Sequence, residues 1–112
     1  MTKHESFPYL EHIIDAVKDI ESFTRGLTKS QFLKNKLRQS AVIRQLEIIG
    51  EASKNLPENF REKYSEVEWK KIAGTRDKII HHYFGIDLNT VWDIIQEDIP
   101  DLKEKILKIM QK

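Results

Sequence analysis

At 112 residues, with 39% hydrophobic and 33% charged side chains, the chain is sized for one domain and patterned for a packed core rather than for disorder. Its net charge of +1 gives no global sign of nucleic-acid binding. It has no cysteine, which excludes disulfides and Cys-type zinc sites, and no apolar run nears the ~20 residues of a membrane span.

The N-terminal run Met1-Thr2-Lys3-His4-Glu5-Ser6 lacks the apolar core of a signal peptide, so a cytoplasmic protein is expected. A chain of this size buries roughly two thirds of its unfolded surface, so self-association would help its core.

The pattern is helical almost throughout. Leu10, Ile13, Ile14, Val17 and Ile20 form one stripe at ~100° per residue. Pro8 suits the first turn of that helix, and Gly26 marks its end. Residues 28–35 read as a connection with room for one short helical turn. A second helix is expected over 37–56, with Val42, Leu46, Ile49, Ser53 and Leu56 as its main stripe and Ile43 and Ile48 flanking it. Gly50 lies mid-helix, where it costs about 1 kcal/mol against alanine. Close approach of another backbone would explain it.

Pro57 ends that helix, and a short helical piece follows over 58–64. Ser65-Glu66-Val67-Glu68 reads as a capping box that opens a third long helix running to about Tyr83. Gly85 is its expected stop. Asp87 can cap a last helix carrying Leu88, Val91, Trp92, Ile95, Ile99, Leu102, Ile106 and Ile109. These residues stay in phase across Pro100, which predicts one long helix bent there. The fold expected is a single all-α domain over 1–112: an up-and-down bundle of about four main helices plus short helical segments. No strand-like alternation, internal repeat or low-complexity linker interrupts it. The basic clusters Lys34, Lys36, Arg38 and Arg44, then Lys103, Lys105 and Lys108, read as solvated faces.

Residues 76–83, Arg76-Asp77-Lys78-Ile79-Ile80-His81-His82-Tyr83, carry the chemistry. On a continuous helix Arg76 falls within the apolar stripe of Trp69, Ile72, Ala73 and Ile80, and Tyr83 falls on it one heptad later. An arginine there must be paired, snorkel, or face a cleft. Asp77 and His81, four apart, would be neighbours on an adjacent face, so Asp77 could orient the ring. Histidine can move protons near neutral pH, and arginine can stabilise charge on phosphorus oxygens. Cleavage of RNA by its own 2′-hydroxyl would need no metal, no cofactor and no protein nucleophile. His82 offers a second candidate base. On the second helix Glu47 and Glu51 share a polar face with Arg44 nearby. These three would either line a cleft or form ordinary i,i+4 pairs.

The spacing Arg76-x4-His81-x-Tyr83 resembles the R-x4-H-x-Y signature of the HepT-like toxins, a branch of the HEPN superfamily of helical ribonucleases. Further blocks, in order, are similar to that family: Tyr9-Leu10-Glu11-His12-Ile13, residues 44–52 (RQLEIIGEA), residues 69–74 (WKKIAG), residues 81–87 (HHYFGID), Val91-Trp92 and residues 98–102 (DIPDL). The likeness covers roughly residues 7–110. It implies a homodimer whose motif helices line one cleft, with Arg76 and His81 as the catalytic pair of a metal-independent endoribonuclease toxin. The position after the arginine, often asparagine in the superfamily, is Asp77 here. The resemblance also implies a minimal nucleotidyltransferase antitoxin as partner, transferring AMP to Tyr83. That would put bulk and negative charge where an RNA phosphate should sit. Two other functions fit the same residues: a non-catalytic helical dimer that binds or regulates a nucleotidyltransferase, and a nucleotide-binding module that uses Arg76 to hold phosphate.

Overall fold

The computed structural model describes residues 3–81 and 85–111, with nothing to say of the side chains of Lys3, His4, Ile80 and His81. The fold is all-α. Three long helical stretches make its frame: α1 (Lys3–Thr24), α3 (Lys36–Asn55), and a continuous C-terminal run formed by α7 (Leu88–Asp93), a π-helical turn (Ile94–Asp98) and α8 (Ile99–Met110). Between α1 and α3 lies α2 (Lys29–Leu33). Three further short helices follow α3: α4 (Glu58–Lys63), α5 (Trp69–Ala73) and α6 (Thr75–Ile79). The strands β1 (Ile80–His81) and β2 (Gly85–Ile86) pair antiparallel, Ile80 with Ile86 and His81 with Gly85.

The apolar stripes explain the frame. Leu10, Ile13, Ile14, Val17 and Ile20 of α1 are all buried, as are Val42, Leu46, Ile49, Ser53 and Leu56 of α3. Ile99, Leu102, Ile106 and Ile109 of α8 close the same core, with α8 packed on α1. Each fully buried isoleucine or leucine contributes about 1.5–3 kcal/mol relative to exposure. Between the first and last long helices, Lys103 Nζ on α8 meets Glu21 Oε1 on α1 at 3.0 Å.

Polar residues set the ends. α1 stops at Thr24, whose hydroxyl donates to the Ile20 carbonyl at 2.8 Å, and Gly26 turns the chain with φ of 77°. α1 begins at Lys3, earlier than the periodicity suggested, so Pro8 lies inside the helix rather than in its first turn. Thr28 and Gln31 form a reciprocal capping box on α2. Asn35 caps α3 by accepting from the Arg38 N–H at 3.0 Å. Asp87 caps α7 by accepting from the Thr90 N–H at 3.1 Å. Near Pro100 the hydrogen-bond ladder widens: the Ile99 N–H reaches back five residues to the Ile94 carbonyl. Proline has no N–H to continue an α ladder, and a π turn is one way a helix passes such a residue.

The expected third helix is not one helix. Ser65 caps nothing, and the capping box with Glu68 is absent. The segment after α4 turns instead, with the Val67 N–H on the Tyr64 carbonyl (3.2 Å) and the Trp69 N–H on the Val67 carbonyl (2.9 Å). The Trp69 indole N–H also donates to the Tyr64 carbonyl at 3.0 Å, and this fixes the turn. Helix begins only at Trp69. It breaks at Gly74, resumes at Thr75 and ends at Ile79, where the chain becomes extended.

Candidate active site

α3 supplies the floor of the site. Gly50 is buried at its middle, and a Cβ built there would lie 3.6 Å from the Ile72 carbonyl oxygen and 3.7 Å from that of Ala73. The glycine thus marks where α5 crosses close to α3. Gly74 follows as the C-cap of α5, and a Cβ there would come within 3.3 Å of the Lys70 carbonyl oxygen. α6 starts at the next residue and carries Arg76, also packed beside α3.

This arrangement opens a cleft of about 510 Å³. Tyr9 and His12 of α1 line one side, and Arg44, Glu47, Glu51, Lys54 and Asn55 of α3 line the floor. Ala73 and Arg76 line the other side. Arg76 is exposed rather than buried in an apolar stripe. No hydrogen bond or ion pair ties Arg76, Arg44, Glu47 or Glu51 to any other described residue, so the i,i+4 pairing weighed for the α3 residues is not seen. Ion pairs lie elsewhere, as between Lys71 and Asp98 (3.5 Å) and between Lys105 and Asp101 (2.9 Å). Arg44, Lys54, Arg76, Glu47 and Glu51 therefore line one open cavity with no side-chain partner among the described residues.

The remaining motif residues are placed differently from the helical reading. Asp77 is exposed on α6, while His81 lies on β1 with its backbone paired to Gly85. The two are not i,i+4 neighbours of one helix, because the helix ends at Ile79. The Asp87 N–H donates to the Ile79 carbonyl at 2.7 Å and, with Gly85 at φ of 79°, returns the chain toward α7. His82 and Tyr83 lie outside the described residues, as does the side chain of His81. Among the described residues, no three His, Asp or Glu side chains gather as metal ligands would.

Tyr9, His12, Lys54 and Asn55 were missed by reading the octet and α3 alone. Their signal was present: Tyr9 and His12 stand in one of the blocks that resemble the HepT-like pattern. Only the packing of α1 on α3 shows that this block faces Arg76.

Comparison with known proteins agrees with these blocks. The profile of the family described as "Ribonuclease HepT-like" matches residues 13–109. The chain is 47% identical over 105 residues to "Putative RNase TTE0752" of Caldanaerobacter subterraneus subsp. tengcongensis, covering 94% of each chain. It is 50% identical over 101 residues to "Probable ribonuclease HepT" of Thermococcus cleftensis, covering 90% of this chain and 92% of that one. A longer relative, "Gamma-glutamylcyclotransferase and putative RNase MJ0434" of Methanocaldococcus jannaschii, is 51% identical over 104 residues. That match takes in 93% of this chain but only 47% of the relative, about half its length. No solved structure is a significant match. With the family profile spanning most of the chain and relatives of this similarity along nearly its full length, the protein belongs to the ribonuclease HepT-like family.

Proposed function

We propose that this protein is a metal-independent endoribonuclease, the toxin half of a toxin–antitoxin pair. The observation that carries the reading is Arg76: an exposed guanidinium with no partner among the described residues, on the wall of an open cleft, in a chain of the ribonuclease HepT-like family. The RNA 2′-oxygen attacks the adjacent phosphorus and the P–O5′ bond breaks. His81 takes the 2′-hydroxyl proton, and a proton is returned to the departing 5′-oxygen. Arg76 stabilises the charge that builds on the non-bridging oxygens. The products are a 2′,3′-cyclic phosphate and a 5′-hydroxyl. In this reading two copies associate so that their motif segments share one cleft. A minimal nucleotidyltransferase partner silences the toxin by transferring AMP to Tyr83, and the added charge and bulk exclude RNA phosphate. Among the described residues no helix is long and apolar enough to cross a membrane.

The test is incubation of unmodified protein with RNA in EDTA, with analysis of the new ends. Cyclic-phosphate ends that disappear in both Arg76→Ala and His81→Ala are expected. Cleavage surviving both substitutions would overturn the site assignment. Absence of cleavage on any RNA would favour the alternative in which the chain is a non-catalytic partner of the transferase.

A further inference from the structure

The cleft contains two groups that RNA cleavage does not need. Glu47 and Glu51 are exposed on its floor with no partner among the described residues, in the cleft proposed above to take RNA. Carboxylates facing RNA repel phosphate, so in an RNA site they would serve a contact that only an acceptor can make. Their setting suggests which. Along α3 the sign of charge runs positive at Arg44, negative at Glu47 and Glu51, and positive at Lys54. Arg44 and Lys54 stand ten residues apart, about 15 Å along the helix axis. The ends of this stripe suit phosphates, and its middle suits a hydrogen-bond donor. Tyr9, half-buried against the core, is an aromatic side chain that lines the cleft from α1.

We infer that the Glu47–Glu51 stretch of the cleft reads an unstacked guanine of single-stranded RNA beside the scissile phosphate. Unpaired RNA bases are recognised by stacking on aromatic side chains and by hydrogen bonds to their Watson–Crick edges. Guanine alone presents two adjacent donors on that edge, N1–H and N2–H, which match the two oxygens of one carboxylate. Adenine and cytosine present one amino donor beside an acceptor nitrogen, which a carboxylate repels. Uracil presents one donor between two acceptors. Arg44 and Arg76 hold the flanking phosphates, and Tyr9 stacks on the base. Duplex RNA is disfavoured, because its Watson–Crick edges are already occupied.

This inference rests on the nuclease reading for its cleavage test but not for its binding test. The substrates are short single-stranded oligoribonucleotides that differ in one base, each made also in an uncleavable 2′-O-methyl form. Wild-type protein should cut beside guanine, and bind the guanine oligonucleotide, about tenfold or more better than the other three, as expected for one bidentate base contact. In Glu47→Gln or Glu51→Gln the ratio should collapse toward one, because the amide replaces an acceptor oxygen with a donor. Both positions are exposed, so the variants should melt like wild type. Equal handling of the four bases by wild type overturns the inference, as does a guanine ratio unchanged in both variants and in their combination. If nothing is cut, the nuclease reading fails by itself. The 2′-O-methyl series then decides: guanine-selective binding lost in the glutamine variants sustains the base contact, and indiscriminate binding ends it.

Discussion

The crossing of α5 over α3 at Gly50 holds the Arg76 side of the cleft in place, and it can be tested with two substitutions at one position. In Gly50→Ala the new methyl meets the Ile72 and Ala73 carbonyl oxygens at 3.6 and 3.7 Å, which is ordinary contact. The substitution gains about 0.8–1 kcal/mol of helix propensity in mid-helix. Covering two carbonyl oxygens takes back part of that, so the expected net is a stabilisation of about 0.5 kcal/mol, or about 2–4 °C in Tm. Gly50→Val extends carbon a further ~1.5 Å from the Cβ, a bond length that the crossing has no room for. Overpacking of this kind costs about 1–3 kcal/mol, and Tm should fall by roughly 4–24 °C. Circular-dichroism melts and urea titrations at one fixed protein concentration would measure both, since self-association makes Tm depend on concentration. Equal stability of the alanine and valine variants would refute the close crossing. So would a loss of more than about 1 kcal/mol in the alanine variant, a value comparable to the propensity it should gain.

Arg76→Ala should lower RNA cleavage by about 10²–10³ with no change in Tm, because the side chain is exposed and has no partner among the described residues; cleavage rates and a melt on the same sample check it. Arg76→Lys should recover only part of that activity, because an ammonium cannot engage two phosphate oxygens as a guanidinium does. Trp69→Phe removes the indole donor to the Tyr64 carbonyl (3.0 Å) and should cost about 1–3 kcal/mol in urea denaturation. Replacing Lys103 with methionine breaks its contact with Glu21 but should change stability by less than about 1 kcal/mol, because both side chains are partly solvated. If a minimal nucleotidyltransferase is the partner, as proposed, intact mass after co-expression with it should show added AMP that is absent in Tyr83→Phe.

The frame was legible in the sequence, and the site only partly so. Apolar residues at helical spacing placed α1, α3 and the C-terminal run, because each buries one continuous stripe. Gly26 and Asp87 marked a stop and a start by local chemistry alone. The failure over 65–83 has an identifiable cause. Ser65 and Glu68 have capping-box spacing, but the Trp69 indole claims the Tyr64 carbonyl, and the chain turns there before it can coil. Beyond Gly74, five residues of helix yield to a strand at Ile80, although Trp69, Ile72, Ala73 and Ile80 keep a helical period. Periodicity cannot see a break that leaves it in phase. Tyr9 and His12 reach the cleft by tertiary packing across more than sixty residues, which no local pattern encodes.

The walls of the cleft are unequal. α1 and α3 are 22 and 20 residues long, and each is anchored by a full buried stripe. The opposite wall is two helices of five residues apiece, separated by Gly74. Helices that short do not hold together in water by themselves, so α5 and α6 persist only while α5 rests on α3 and α6 on α3 and α7. Their amides should exchange with deuterium by small local openings, whereas those at the centres of α1 and α3 wait for global unfolding. The cleft therefore has a stationary side and a yielding side, and Arg76 rides on the yielding one. Any opening of that side is held in check by Trp69 on α5 and Ile79 on α6, which are buried in the same core as the long helices.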